Sequence, residues 1–201
     1  MGVKKNKDFR LQVPGGEATV LLHTCCAPCS SAIIETMMKD GITPVIYYCN
    51  PNIYPLEEYE IRKNECTRYA RSLGLEIVDA DYDHENWLDA VKGLEGEPER
   101  GGRCLRCFKI RLLRTAQYAA QRGIKVITTT LASSRWKSLD QINEAGRWAC
   151  QQIVPPDSRL GVDMVPPDGK VIWWDHNLRK NGLQERRLQI IKEYDFYNQL
   201  Y

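Results

Sequence analysis

The stretch Thr19-Val20-Leu21-Leu22-His23-Thr24-Cys25-Cys26-Ala27-Pro28-Cys29-Ser30 decides how the rest of the chain is read. Thr19 to His23 is a short β-prone run, the pattern of a buried strand. Ser30 to Lys39 follows with Ile33, Ile34, Met37 and Met38 on one helical face, closed by Asp40-Gly41. Strand, thiol-rich turn and helix make one βα unit, and the alternation repeats downstream. Thr43 to Cys49 is a second strand, stopped by Asn50-Pro51-Asn52. Leu56 to Leu73 is a long helix closed by Gly74. Leu75 to Ala80 is a third strand running into Asp79, Asp81 and Asp83. Trp87 to Leu94 reads as a short helix and Glu95 to Arg103 as a charged, glycine-rich loop. Leu105 to Arg122 is a strong helix closed by Gly123, and Lys125 to Thr130 a fourth strand. Ser138 to Gln151 is helical, Val171 to Trp174 is a fifth strand, and Asn181 to Asp195 a basic helix. Pro155 to Asp168, with four prolines, reads as a loop.

This alternation predicts an α/β fold, a parallel sheet with helices on both faces. Ligands of such sheets bind beyond the carboxyl ends of the strands. Here those ends carry Thr24 to Cys29, Cys49 to Asn52, Asp79 to Asp83, and Thr129 to Ser133, so the chemically loaded residues converge on one rim. At 201 residues, the chain fits a loose segment (1–17) and one domain (18–201), large enough to fold without disulfide staples. Its 43% apolar and 27% charged content excludes a disordered chain. The longest apolar runs, Val20 to Leu22 and Val45 to Tyr48, are too short to span a bilayer. Met1 to Arg10 is charged with no apolar segment behind it, so no secretory signal and no membrane partner are expected, and a cytoplasmic location is. A net charge of +2 neither demands nor forbids a nucleic-acid partner.

Eight cysteines in such a chain point to metal or redox chemistry. Cys26 and Cys29 form one C-x-x-C, Cys104 and Cys107 a second, and Cys25 adds a vicinal thiol. A thioredoxin-like dithiol leaves the second pair unexplained. A structural zinc uses four thiolates and leaves one spare. An iron–sulfur cluster also uses four and suits a catalytic rim. The residues alone leave zinc and iron–sulfur open. Cys49, Cys66 and Cys150 have no partner at ligand spacing and read as small buried apolar residues. His23 reads as a core histidine or a proton relay, and Asp79 and Asp83 as helix caps or acids of the rim. Trp173 and Trp174 fall on opposite faces of a strand, and Trp136 reads as core or as a base-stacking ring. The basic side chains crowd Arg100 to Arg114 and Arg179 to Lys192, as solvated helix faces or as phosphate contacts.

The string Leu22 to Ser30 resembles the opening motif of the QueH family, the cobalamin-independent epoxyqueuosine reductases. The resemblance continues in Asn50-Pro51-Asn52-Ile53 with Glu58-Tyr59 and Arg62, and in Asp81-Tyr82-Asp83 with Trp87. It runs on through Gly102-Arg103-Cys104-Leu105-Arg106-Cys107-Phe108 with Arg111, Thr130-Leu131 with Ser133, Lys137, Ile142 and Gly146, and Arg179-Lys180 with Gly182-Leu183. It implies a fold of the adenine-nucleotide α-hydrolase (HUP) type, with the Cys-rich turn in place of the phosphate loop. It implies removal of the epoxide oxygen of epoxyqueuosine in a tRNA anticodon stem-loop. It implies a 4Fe-4S cluster on Cys25, Cys26, Cys104 and Cys107, with Cys29 and Asp81 holding a second mononuclear iron. Asp81, Cys29 and His23 are then the catalytic candidates, and Arg103, Arg106, Arg179 and Lys180 the RNA contacts. No G-x-G-x-x-G loop is present, so the electrons are expected from an external low-potential donor, ferredoxin- or flavodoxin-like. Many members continue past a similar Tyr-x-Gln-x-Tyr ending into a Cys-Gly-Cys segment. This sequence reaches Tyr197-Asn198-Gln199-Leu200-Tyr201, and the resemblance carries no tail thiol pair over to it. The rival reading is a non-catalytic RNA-binding domain stapled by zinc. A nucleotide-dependent transferase is disfavoured because no Ser-Gly-Gly-type phosphate loop follows the first strand.

Overall fold

The computed structural model describes residues 10–153 and 170–197. The proline-rich stretch 155–168 and the ending 198–201 lie outside the described residues. Five strands, β1 (Thr19–Thr24), β2 (Thr43–Tyr48), β3 (Ile77–Asp79), β4 (Val126–Thr129) and β5 (Ile172–Trp173), form one sheet. Every pairing is parallel and the order is β3-β2-β1-β4-β5. The order reverses direction between β1 and β4, which makes their carboxyl ends the switch point where α/β sheets hold ligands.

Strand alternation sends side chains to two separate cores. Val20, Leu22, Ile46 and Tyr48 face α1 (Ala27–Lys39), α2 (Leu56–Ser72) and α6 (Leu183–Glu193) through Ile33, Met37, Tyr59, Tyr69 and Ile190. Leu21, Val45, Tyr47 and Ile127 face α4 (Gly102–Gln121) and α5 (Leu139–Gln151) through Phe108, Leu112, Ala116, Ile142 and Ala145. The sheet is therefore covered on both faces, as the alternation predicts. A short helix, α3 (His84–Val91), packs on α4. Trp173 of β5 and Trp174 just after it are both buried, Trp173 in the second core and Trp174 in the first. Within residues 10–17, Leu11 is buried, and its N–H donates to Asp40 Oδ2 at 2.8 Å.

Three helices, α1, α3 and α4, start earlier than the pattern indicates. Pro28 sits in the first turn of α1, where its missing N–H costs nothing, so Cys29 is already helical. The α4 N-terminus is capped from a distance, as Glu97 Oε2 accepts the Gly102 N–H at 3.0 Å. Cys104 and Cys107 are thus both on the helix.

Gly146 of α5 is required by close approach: a Cβ there would lie 2.2–2.4 Å from three ring atoms of Trp173. Trp173 cannot retreat, since it belongs to β5 and its Nε1–H donates to Asn143 Oδ1 at 3.1 Å. Alanine gains up to about 1 kcal/mol of helix propensity over glycine, against about 1–3 kcal/mol of overpacking. Gly146→Ala is expected to lower the urea midpoint at an unchanged m-value, a net loss of about 1–2 kcal/mol. An unchanged or raised midpoint contradicts this packing.

Candidate functional site

β1 ends at Thr24, and the next five residues bring three thiols to the switch point. The Sγ atoms of Cys25, Cys26 and Cys29 all lie within 4.8 Å of one another, and those of Cys25 and Cys26 are 3.9 Å apart. Thr130, the residue after β4, closes the group from beside the neighbouring strand. Its hydroxyl accepts the Cys25 N–H at 3.2 Å and lies 3.4 Å from Cys25 Sγ. The thiols are unequal. Hydrogen bonds from Cys26 and Cys29 favour the Cys25 thiolate and hold its pKa well below the ordinary thiol range, against the cost of burial. Burial pushes Cys26 up, and interaction with Cys25 pushes Cys29 up.

Behind the triad lies a buried cation. Arg111 of α4 is 3% exposed. Its Nε–H donates to the Cys49 carbonyl at 3.2 Å, and its Nη2 donates to Asn50 Oδ1. Asn50 Nδ2 in turn donates to the Thr24 carbonyl at 2.9 Å. This chain ties α4 to the ends of β2 and β1. Among the described residues no carboxylate pairs with Arg111. Its positive charge instead favours the thiolate of Cys25.

His23 is fully buried with both ring nitrogens engaged. Nε2 lies 3.0 Å from the Cys49 carbonyl, which can only accept, so Nε2 carries the proton. Nδ1 then accepts from the Thr129 hydroxyl at 2.7 Å. Burial, with Arg111 second, lowers its pKa to about 3 and keeps it neutral. The ring bridges the ends of β1, β2 and β4 and is fully enclosed. A proton relay to a ligand, expected from its place at a strand end, has no exposed ring atom to act through.

Cys104 and Cys107 lie outside the triad and line an adjacent cleft of about 340 Å³, at the small end of ligand-binding sizes. The two sites share walls: Arg111 borders both, and Cys25 and Cys104 pack against the same core face. Arg100 closes one side, donating from Nε to the Trp136 carbonyl at 3.0 Å and from Nη2 to that of Arg135 at 2.9 Å. The lining carries Arg100, Arg103, Arg111 and Lys137 against a single acid, Glu99, so the cleft favours anions. Trp136 is on its wall and 63% exposed, which excludes the core alternative.

The other expected residues are more scattered. Asp81 lies exposed beyond β3; its carbonyl accepts from Arg114 at 3.2 Å, and its carboxylate stands outside the thiol group. Arg106 is exposed on a second, shallow surface, where Nε donates to the Ala90 carbonyl at 3.2 Å. Arg179 reaches the cleft's edge, with Nη2 donating to the Lys137 carbonyl at 2.7 Å, and Lys180 is exposed beside it. Cys49 and Cys66 are buried and Cys150 half-buried. Burial raises all three thiols, Cys49 to about 11 and Cys150 to about 12. Sequence reasoning missed the buried place of Arg111, the support from Thr130, and Arg187, whose Nε donates to the Pro28 carbonyl at 2.9 Å.

The donor set suits a soft metal: three sulfurs, one favoured as thiolate, with a buried cation that has no carboxylate partner. Comparison with known proteins agrees with this chemistry. Proteins named epoxyqueuosine reductase QueH from Haemophilus influenzae and Histophilus somni are each 44% identical over 192 residues, covering 96% of this chain and 72% and 73% of theirs. One of the same name from Acinetobacter baylyi is 42% identical over 193 residues, covering 96% of this chain and 82% of its own. A model of the family described as epoxyqueuosine reductase QueH matches residues 20–201, the span that contains the triad, the cleft and every strand but the first residue of β1. With the thiol turn at its switch point, this chain belongs to the QueH family of epoxyqueuosine reductases.

Proposed function

We propose that this protein reduces epoxyqueuosine to queuosine in a tRNA anticodon loop, in the cytoplasm. The observation that carries this reading is the Cys25–Cys26–Cys29 triad at the switch point of a chain belonging to this family. The net reaction takes two electrons and two protons, breaks both C–O bonds of the epoxide, forms the alkene and releases water. Cys25, Cys26, Cys104 and Cys107 hold a 4Fe-4S cluster, and Cys29 with Asp81 holds a second iron. When bound, these centres pass single electrons and polarise oxygen. The electrons come from a ferredoxin- or flavodoxin-like donor.

The chain's own residues divide the remaining work. Thr130 and Arg111 favour the Cys25 thiolate and keep the turn in place. His23 is a positioning residue that locks three strand ends. The cationic cleft receives the flipped-out nucleotide, and Trp136 offers it a stacking face. Arg103, Arg179 and Lys180 at the cleft contact backbone phosphate, with Arg106 further out. No helix among the described residues is long and apolar enough to cross a membrane.

Anaerobically purified protein is expected to be brown, with about four irons and four sulfides per chain, and iron beyond four marks the second site. With dithionite it converts epoxyqueuosine in tRNA to queuosine. A colourless protein with one zinc, no sulfide and no conversion makes it a zinc-stapled binding module instead. Arg103→Gln is expected to weaken binding of an anticodon stem-loop and to reduce the slope of log K against log salt by about 1. An unchanged slope removes Arg103 from the phosphate contacts.

A further inference from the structure

Among the described residues, Tyr54 at 75% and Trp136 at 63% are the only exposed phenylalanine, tyrosine or tryptophan side chains. Single exposed rings scattered over a surface are ordinary. These two are not scattered. Trp136 forms part of the cleft wall, and Tyr54 follows two residues after Asn52, which lines the same cleft.

The Tyr54 ring is also fixed from behind. It stacks on His84, with centroids 5.4 Å apart and planes 22° apart. The His84 ring stacks in turn on Trp87 of the cleft wall, at 5.7 Å and 19°. The turn that presents Tyr54 is held on both sides of Asn52. His84 Nδ1–H donates to the Pro51 carbonyl at 2.7 Å, and the Tyr82 hydroxyl donates to that of Ile53 at 2.6 Å. A ring positioned in advance gives up little side-chain freedom when a partner stacks on it. The cleft beside it is cationic, through Arg100, Arg103, Arg111 and Lys137. The fitting partner therefore combines negative charge with flat rings. A single-stranded nucleic acid has both, and every base offers a π-face whatever the sequence.

We propose that Tyr54 is a second stacking platform, which takes a base next to the modified nucleotide while the cleft takes that nucleotide itself. Flipping one nucleotide out of a loop unstacks its neighbours, and Tyr54 returns a stacking face to one of them. This rests on the RNA substrate proposed above. It adds a contact to RNA that carries no charge.

The test is a double cycle of binding on the anaerobically purified holoprotein, without reductant. The probes are fluorescent anticodon stem-loops that carry epoxyqueuosine, either intact or with an abasic residue at one neighbouring position. Tyr54→Ala is expected to weaken binding of the intact loop about tenfold, the scale of one base–aromatic stack. Tyr54→Phe keeps the ring and is expected to bind as wild type does. One of the two abasic loops is expected to bind wild type about tenfold more weakly than the intact loop does, and to bind Tyr54→Ala no more weakly than wild type. The salt slope of Tyr54→Ala stays at the wild-type value, since no phosphate contact is lost. Losses that multiply for both abasic loops overturn the inference, and so does a phenylalanine variant as weak as the alanine one. A Tyr54→Ala protein that binds the intact loop like wild type also overturns it, as a ring that faces another protein would behave. If wild type reduces epoxyqueuosine in tRNA with dithionite and the losses multiply, the proposed function stands and only the platform falls. If it reduces nothing yet shows the coupling, the function falls and the platform remains, on a binding module. A wild type that neither reduces nor binds these RNAs loses both.

Discussion

Cys25→Ser is expected to lose the bound iron and to cut tRNA reduction by roughly a thousandfold or more, the scale seen when a catalytic centre loses an essential member. Cys25 is the thiol that its surroundings turn toward thiolate, through Cys26, Cys29 and Thr130. A serine hydroxyl in its place stays protonated and is a poor ligand for a soft metal. Cys150→Ala is the matched control: this thiol is half-buried on α5, and its raised pKa reflects burial alone. It should retain iron, sulfide and activity. Iron and sulfide per chain, measured beside single-turnover reduction, separate the two variants. A Cys25→Ser protein with full iron and full turnover removes Cys25 from the site.

The second large effect belongs to Arg111. Arg111→Met removes the donor to Asn50 Oδ1 and leaves that buried acceptor orphaned, a loss of about 1–3 kcal/mol. The Cys49 carbonyl keeps its bond from His23. The metal suffers more, because the variant loses both the cation near the thiolate and the brace joining α4 to β1. Removing a supporting partner of this kind costs about 10- to 100-fold in metal affinity. Arg111→Lys keeps the cation but not the brace, since one ammonium cannot serve the Nε and Nη2 directions together, and is expected to fall between wild type and the methionine variant. Competition with a chelator measures the affinity, and urea unfolding measures the stability. Chelator sensitivity equal to wild type would show that Arg111 braces the fold without supporting the metal.

The element order was legible because each strand is a short apolar run between breakers, and buried parallel strands carry that signal. The rim was legible for the same reason: the breakers themselves hold the cysteines. The start of α4 was not, because its cap comes from Glu97, which no local capping pattern reveals. Pro28 carries the signal for the earlier start of α1, through the preference of proline for a first turn, but the apolar pattern alone begins that helix at Ser30. Arg111 looked like one cation among many on a basic helix. Yet Phe108, Leu112, Thr115, Ala116 and Ala119 are buried at helical spacing, and Arg111 falls on that same stripe. The period placed it inside, and its charge hid it. The cleft lay beyond sequence reasoning, since Arg100 closes it by reaching across to residues 135 and 136.

The bond from Arg187 to Pro28 has a consequence for the ribosome. It joins residues 159 positions apart, and Arg186 grips Glu35 of α1 beside it, at 2.7 Å from Nε to Oε2. The thiol turn is therefore among the first parts of the domain to be synthesised, and its brace from α6 among the later ones. At about 5–20 residues per second, Cys25, Cys26 and Cys29 wait roughly 8–30 s outside the tunnel before that brace exists. During that interval the nascent thiols are open to oxidants and to competing metals, so delivery of the correct metal is a race against translation.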